Sequence, residues 1–239
     1  MPLYRDVGVV LRTYKLGEAD RIVVLCTQGH GKVRAVAKGV RKTKSKFGSR
    51  LEPGSHVLVQ LYEGRGDLDI VSQAELVETQ ASLRDDLERM GRAAAMLEAI
   101  DQIAQEGEEN SGLYDMLVGG LRAIANWDTP LVTPAFFFKL LASEGVGIHV
   151  DACIECGEED DLVSLDLDGG GLRCREHRDG MSVSPQAVTI MRLVLGGRLS
   201  NALALPIGPA TFEVDHLASV AMERHLDRRL RSLRLLEQH

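Results

Sequence analysis

The spacing of apolar residues changes once along this chain, close to residue 80, and the change restricts the fold to a strand-built part followed by a helix-built part. Before it, apolar residues fall on alternate positions: Val7, Val9 and Leu11, then Ile22 and Val24, then Val33, Ala35 and Ala37. Val57, Val59 and Leu61 repeat the pattern, as do Leu68 and Ile70. Successive side chains of an extended chain point to opposite faces, so this spacing buries one face of each of five short strands. Turn-forming clusters stand between them, in LGEAD, QGHG, EPGS and EGRGD. Five short strands in a small all-β unit predict a partly open barrel of the OB type. A small SH3-like barrel is the alternative.

From Ala81 onward the apolar residues step by three and four. Leu83, Leu87, Met90, Ala94, Leu97, Ile100 and Ile103 form one stripe along a helix. EGEENSG breaks that helix, and Leu113, Leu117, Leu121 and Ile124 mark a second. Thr133-Pro134 supplies an N-cap and an N1 proline for a third, which Gly145 ends. Ser184-Pro185 opens another, closed near Gly196-Gly197, and a long helix runs from about Phe212 to Leu236. The resulting division is an OB-fold domain at 1–79, an all-α helical domain at 80–149 and 182–239, and a small zinc-ribbon-like insert at 150–181.

Three of the four cysteines lie in that insert. Cys153 and Cys156 form one pair and Cys174 and His177 another, each with two residues between its members and a seventeen-residue loop between the pairs. Two intervening residues let both side chains of a tight turn face one ion, and two such turns complete a tetrahedral N/S site of the kind zinc favours. Four protein ligands leave no position open for water, so one zinc per chain is expected to be structural. The zinc deaminase signature needs H-x-E and a Pro before its CxxC, whereas Ala152 precedes Cys153. Gly29-His30-Gly31-Lys32 is followed by Val33 and reads as a hairpin turn, not a phosphate loop. Cys26 ends an apolar strand and reads as a small buried hydrophobe. Nothing in the sequence argues for an enzyme.

Charge is divided unevenly. The chain carries a formal net charge of −7, yet residues 1–80 hold 13 Lys/Arg against 9 Asp/Glu. Lys32, Arg34, Lys38, Arg41, Lys42, Lys44, Lys46 and Arg50 stand together with no acidic residue among them. On an OB-type barrel such a stretch reads as a phosphate track for DNA, with Phe47 inside it and Tyr14 and Tyr62 as stacking platforms or core residues. Lysines suit diffuse, salt-dependent and sequence-tolerant contact. Arg224, Arg228, Arg229, Arg231 and Arg234 near the end are either a solvated helix face or a second basic patch. The start, MPLYRDVGVV, shows no signal peptide, and AFFFKLLA is too short and interrupted for a membrane span, so a cytoplasmic protein is expected, without membrane partners.

Four stretches carry a likeness to a known family: YRDVGVVLRTYKLGEADRIVVLCT from Tyr4, AVAKGVRKTKSKFGSRLEPG from Ala35, the paired cysteine motif, and ERHLDRRLRSLRLLE from Glu223. Over essentially its whole length the chain resembles the bacterial RecO family of recombination-repair proteins. The resemblance implies an N-terminal OB-fold, a helical domain and, in many members, a zinc module. It implies a non-enzymatic, nucleoid-associated protein that binds single- and double-stranded DNA and anneals complementary strands without ATP. The partners it implies are RecR and single-strand binding protein, with RecF in some pathways, in loading RecA onto coated DNA. His177 departs from the pattern, standing where zinc-containing members commonly have a fourth Cys. The alternative is an RNA-binding or ribosome-associated OB module stapled by zinc, and a third reading is a zinc-dependent nucleic-acid hydrolase.

Overall fold

The structure is a computed structural model, and it describes residues 2–43, 45–64, 66–78, 83 and 86–236. Five strands come first: β1 (Leu3–Leu16), β2 (Asp20–Thr27), β3 (Gly31–Ala37), β4 (His56–Tyr62) and β5 (Asp69–Glu78). The alternation seen in the sequence is their burial: Val33, Ala35 and Ala37 of β3 face inward, with Lys32 and Arg34 between them half-buried. The strands close in the order β1-β2-β3-β5-β4, with β1 returning to pair with β4. This is the OB-like barrel expected. A parallel contact of two residue pairs, Ala35 with Asp69 and Val36 with Ile70, joins β3 to β5 and closes a gap that alternation alone does not reveal.

β1 serves both neighbours because it bends. Leu3–Val9 pair with β4 and Gly8–Leu16 with β2, and the register slips between Val10 and Arg12. A bulge of this kind kinks a strand and sharpens its twist. At the bulge Val10 exchanges backbone hydrogen bonds with the end of the β3–β4 connection, Val10 N to Ser55 O at 3.0 Å and Gly54 N to Val10 O at 2.8 Å. That connection, residues 38–55, contains turns and no described helix. It nevertheless contributes to the core, because Phe47 and Leu51 are 1% and 2% exposed among Val10, Leu25, Val59 and Leu61.

The contacts divide the chain into two units, residues 1–125 with 230–239, and residues 126–229. In the first, α1 (Leu87–Ile103), α2 (Ser111–Asn126) and α7 (Arg231–Leu236) accompany the barrel. Asp86 caps α1 by accepting from Arg89 N, and Asn110 accepts from Leu113 N at the start of α2. Glu98 of α1 accepts from Arg231 N, Ser232 N and the Ser232 hydroxyl, satisfying free donors at the start of α7. Asp101 of α1 is 4% exposed in its side chain and pairs with Arg12 of β1 at 2.8 Å.

The second unit contains α3 (Val132–Ser143), a small antiparallel sheet of β6 (Leu162–Asp166), β7 (Gly171–Cys174) and β8 (Met181–Ser182), and α4 (Pro185–Leu195), α5 (Leu199–Leu203) and α6 (Pro209–His225). Its core is apolar, with Phe137, Phe138, Leu140, Met191, Val214 and Leu217 at 1% exposure or less. Ser184 caps α4 as expected, its hydroxyl accepting from Ala187 N, and Pro185 follows in the first turn.

Three helix boundaries differ from the sequence reading, and the first is that of α1, which begins at Leu87 and leaves Leu83 outside it. α3 begins at Val132, ahead of Thr133-Pro134, because a proline is tolerated throughout the first turn, where N–H groups have no helical acceptor. The long helix expected from Phe212 to Leu236 is two helices, α6 and α7. Asp227 adopts φ 49 between them, a left-handed conformation that a short polar side chain accepts without glycine. Among the described residues, no helix is long and apolar enough to cross a membrane.

Phe47→Ala should cost about 3–5 kcal/mol of barrel stability, the usual penalty for emptying an aromatic core site. Urea unfolding followed by circular dichroism measures it, and a loss below about 1 kcal/mol would show that the connection packs only loosely.

A candidate nucleic-acid interface and a candidate metal centre

The basic stretch divides into two classes once its side chains are placed. Lys38, Arg41, Lys42, Lys46 and Arg50 lie on the β3–β4 connection and are exposed, while Lys44 lies outside the described residues. Arg41 donates to the carbonyl oxygens of Glu18 at 3.0 Å and Gly17 at 3.5 Å, over the β1–β2 turn. Lys46 donates to Ser72 O of β5 at 2.8 Å, and Arg50 to Lys46 O at 2.8 Å. These acceptors are neutral, so the positive charge is positioned without being cancelled. Lys32 and Arg34 sit on β3 and face carboxylates instead. The Lys32 ammonium lies 3.8 Å from the Asp101 carboxylate, and Arg34 lies 3.5 Å from Glu106.

Backbone bonds hold the connection in place. Gly39 N donates to the Asp20 carboxylate at 2.7 Å and Arg41 N to Ala19 O at 3.0 Å. Glu52, near its end, pairs with Arg21 of β2 at 2.8 Å. The connection thus runs from the β1–β2 turn to β5 as an ordered band of cations. On an OB-like barrel the strand 2–3 face and the loops after strands 1 and 4 are where oligonucleotides lie.

The aromatic residues sort differently from the sequence reading. Phe47 belongs to the barrel interior, and a ring that is 1% exposed offers no face on which a base can stack. Its place in the basic stretch is that of an anchor, because the connection needs an apolar side chain to bind it to the core. Tyr14 and Tyr62 are 41% and 39% exposed, and the Arg12 guanidinium lies 4.8 Å from the Tyr14 ring centroid. Both rings lie on the surface.

The second constellation lies in the small sheet. The ligand atoms of Cys153, Cys156, Cys174 and His177 all lie within 4.8 Å of one another. Cys156 Sγ is 3.8 Å from Cys174 Sγ, and Cys174 Sγ is 3.4 Å from His177 Nδ1. A tetrahedron with metal–sulfur bonds of about 2.3 Å has sulfur–sulfur edges of about 3.8 Å, so the cage has the size of a closed metal site. Sequence spacing and geometry name the same four residues.

Local structure builds this cage from two turns. Gly157 N donates to Cys153 O at 2.9 Å, with Gly157 at φ 80, so that the chain doubles back and brings Cys156 toward Cys153. Ile154 N donates to Leu172 O at 3.0 Å, which ties the first turn to β7. Cys174 ends β7, and His177 N donates to Cys174 O at 3.2 Å in the second turn. Burial raises the Cys153 thiol, but backbone N–H groups of Cys174, Cys156 and Glu155 directed at it outweigh that effect and bring it down to about 6. That favours the thiolate, the form a metal takes up. Cys26 contrasts with it, because burial pushes its thiol up to about 12 and leaves it inert.

Sequence reasoning missed three supporting residues. Arg192 of α4 donates to the carbonyls of Val150, Asp151 and Glu159, clasping both sides of the first cysteine turn. Asp101 and Glu106 hold the two β3 cations from a distance of about 70 positions along the chain. Only the helical phase of Asp101 and the acidic run around Glu106 hinted at them.

Comparison with known proteins agrees with this layout. A family model described as recombination protein O, N terminal, matches residues 1–80, and one described as recombination protein O, C terminal, matches residues 84–234. The DNA repair protein RecO of Frankia casuarinae is 43% identical over 244 residues, covering 99% of each chain. Those of Streptomyces griseus and Bifidobacterium longum are each 40% identical, covering 99% of this chain and 100% of the relative.

Elemental analysis of freshly prepared, unchelated protein should find about one metal ion per chain, and the Cys153→Ser/Cys156→Ser variant should lose it. Metal-free wild-type protein would refute the assignment.

Proposed function

This chain belongs to the recombination protein O family, and on that premise we propose that it is a non-enzymatic mediator of DNA repair and homologous recombination. It binds single- and double-stranded DNA and anneals complementary strands without ATP. With RecR, and with RecF where that protein takes part, it promotes loading of RecA onto DNA coated by single-strand binding protein. Its place of work is the nucleoid.

One observation carries the DNA-binding part of this reading: the ordered cationic connection whose Arg41, Lys46 and Arg50 bond to neutral carbonyls. Charge held in place but not neutralised attracts a phosphate backbone regardless of base sequence, which an annealing protein needs. Two DNA strands repel each other, and a surface that holds both lowers that repulsion and raises their local concentration. Tyr14 and Tyr62 provide π-faces for unpaired bases at no cost in sequence tolerance. No G-x-x-x-x-G-K-[ST] loop occurs in the sequence, in keeping with an ATP-independent role.

The metal in this reading is zinc, held by Cys153, Cys156, Cys174 and His177 as a structural ion. Three thiolates and an imidazole on two tight turns are zinc's preferred donors, and four protein ligands leave no position for an attacking water. Its contribution is to cross-link the two turns of a sheet too small to be stable alone.

Complementary oligonucleotides mixed with the protein should anneal faster without ATP. Changing Lys38, Lys42 and Arg50 to Ala should flatten the plot of log affinity against log salt by about 2, since each phosphate contact on a single strand contributes roughly 0.7. A variant that keeps the wild-type slope would move the DNA surface away from this connection. Preference for RNA over DNA in the same assay would favour the ribosome-associated reading.

A further inference from the structure

The segment joining α1 to α2 carries Glu106, Glu108 and Glu109 and lies along β3 instead of standing off in solvent. Lys32 N donates to Gln105 O at 3.2 Å, and Gly107 N donates to Lys32 O at 3.3 Å. It finds an edge there because β5 pairs with β3 only at Ala35 and Val36, leaving the start of β3 without a strand on that side. Gly31 permits the approach: its φ is 62, and a Cβ at that position would lie 1.8 Å from Glu108 O. An acidic strap is thereby laid against the most basic stretch of the chain.

The two β3 cations beneath the strap are held in different ways. Lys32 is 13% exposed in its side chain, and its ammonium bonds to Asp101 O at 2.7 Å beside a carboxylate that is 4% exposed. It belongs to the fold. Arg34 and Glu106 are 35% and 49% exposed, and their closest approach is 3.5 Å. A long, hydrated ion pair of this kind is weak, and an anion offering two oxygens to the guanidinium displaces a single carboxylate oxygen.

Building on the DNA-binding reading above, we propose that Glu106 is a phosphate-mimicking gate on Arg34. In the free protein its carboxylate occupies the guanidinium, and a strand arriving across β3 exchanges a phosphate for it. The backbone of the strap stays pinned at Gln105 and Gly107, so only the Glu106 side chain swings. Because the carboxylate remains beside the guanidinium it left, the exchange is reversible, and a strand held for annealing is also able to leave. Lys38, Lys42 and Arg50 supply the ungated attraction.

Glu106→Gln keeps the size of the side chain and removes its charge. In full-length protein, affinity for a fluorescent oligothymidylate should rise about two- to fivefold, the range spanned by exposed ion pairs. The salt slope should change by less than one phosphate contact, about 0.7, because Arg34 meets the strand in both proteins. Removing any negative charge raises affinity for a polyanion somewhat, so the deciding measurement is a double-mutant cycle with Arg34→Ala. The gain from Glu106→Gln should fall to that small general increment in the Arg34→Ala background, with circular dichroism unchanged throughout. An equal gain with and without Arg34, or no gain at all, overturns the gate while leaving the DNA-binding reading intact. A parent protein that binds no oligonucleotide overturns both.

Discussion

Insertion of Phe47 and Leu51 into the barrel is the contact on which the proposed DNA surface depends. An eighteen-residue connection rich in lysine and arginine has strong reasons to stay loose, since like charges repel and long side chains lose entropy when ordered. Two apolar side chains at 1% and 2% exposure offset that tendency, each gaining roughly 2–3 kcal/mol from burial. The backbone between Lys38 and Ser55 then follows the barrel surface, from the β1–β2 turn to the bulge in β1. Fold and electrostatics are coupled here through one loop.

Order in that loop has a second consequence. Because Arg41 and Lys46 bond to carbonyl oxygens of the barrel, their positions are set by its backbone, while their charge stays available to an external anion. The strand cations meet carboxylates from α1 and the segment after it, so helix and barrel of one unit are joined by the same residues that a nucleic acid would seek. Lys32 has been recruited to the fold. Arg34, at the solvated end of the same face, is recruited less completely. The gradient from buried to exposed ion pair is what separates structural from exchangeable charge.

The Cys/His cluster addresses a different problem by a different route. β6, β7 and β8 comprise eleven residues in all, and the large apolar side chains they bury are three leucines, Leu162, Leu165 and Leu172, too few for a free-standing sheet. Two cysteine turns converging on one point, with Arg192 clasping the first of them, replace the core such a sheet lacks. His177 stands in the cluster where a fourth thiol would complete the set, its Nδ1 3.4 Å from Cys174 Sγ.

Local chemistry made much of this legible. Period-two burial gave five strands, the CxxC and CxxH spacing gave the four ligands, and Ser184-Pro185 gave the start of α4, because each is a property of a few neighbouring residues. Asp227 marks where that reasoning ends: nothing adjacent distinguishes it from a helical residue, yet its φ of 49 divides one expected helix into two. Phe47 marks another limit, because an aromatic among lysines looks like a base-stacking residue until the barrel that swallows it is assembled. By itself the sequence determined the five barrel strands and most of the helices, which four residues form the Cys/His cluster, and that positive charge gathers before residue 51. Only the tertiary structure decided which of those charges remain free to act, because Asp101 and Glu106 reach β3 from about 70 residues away and no local pattern records that meeting.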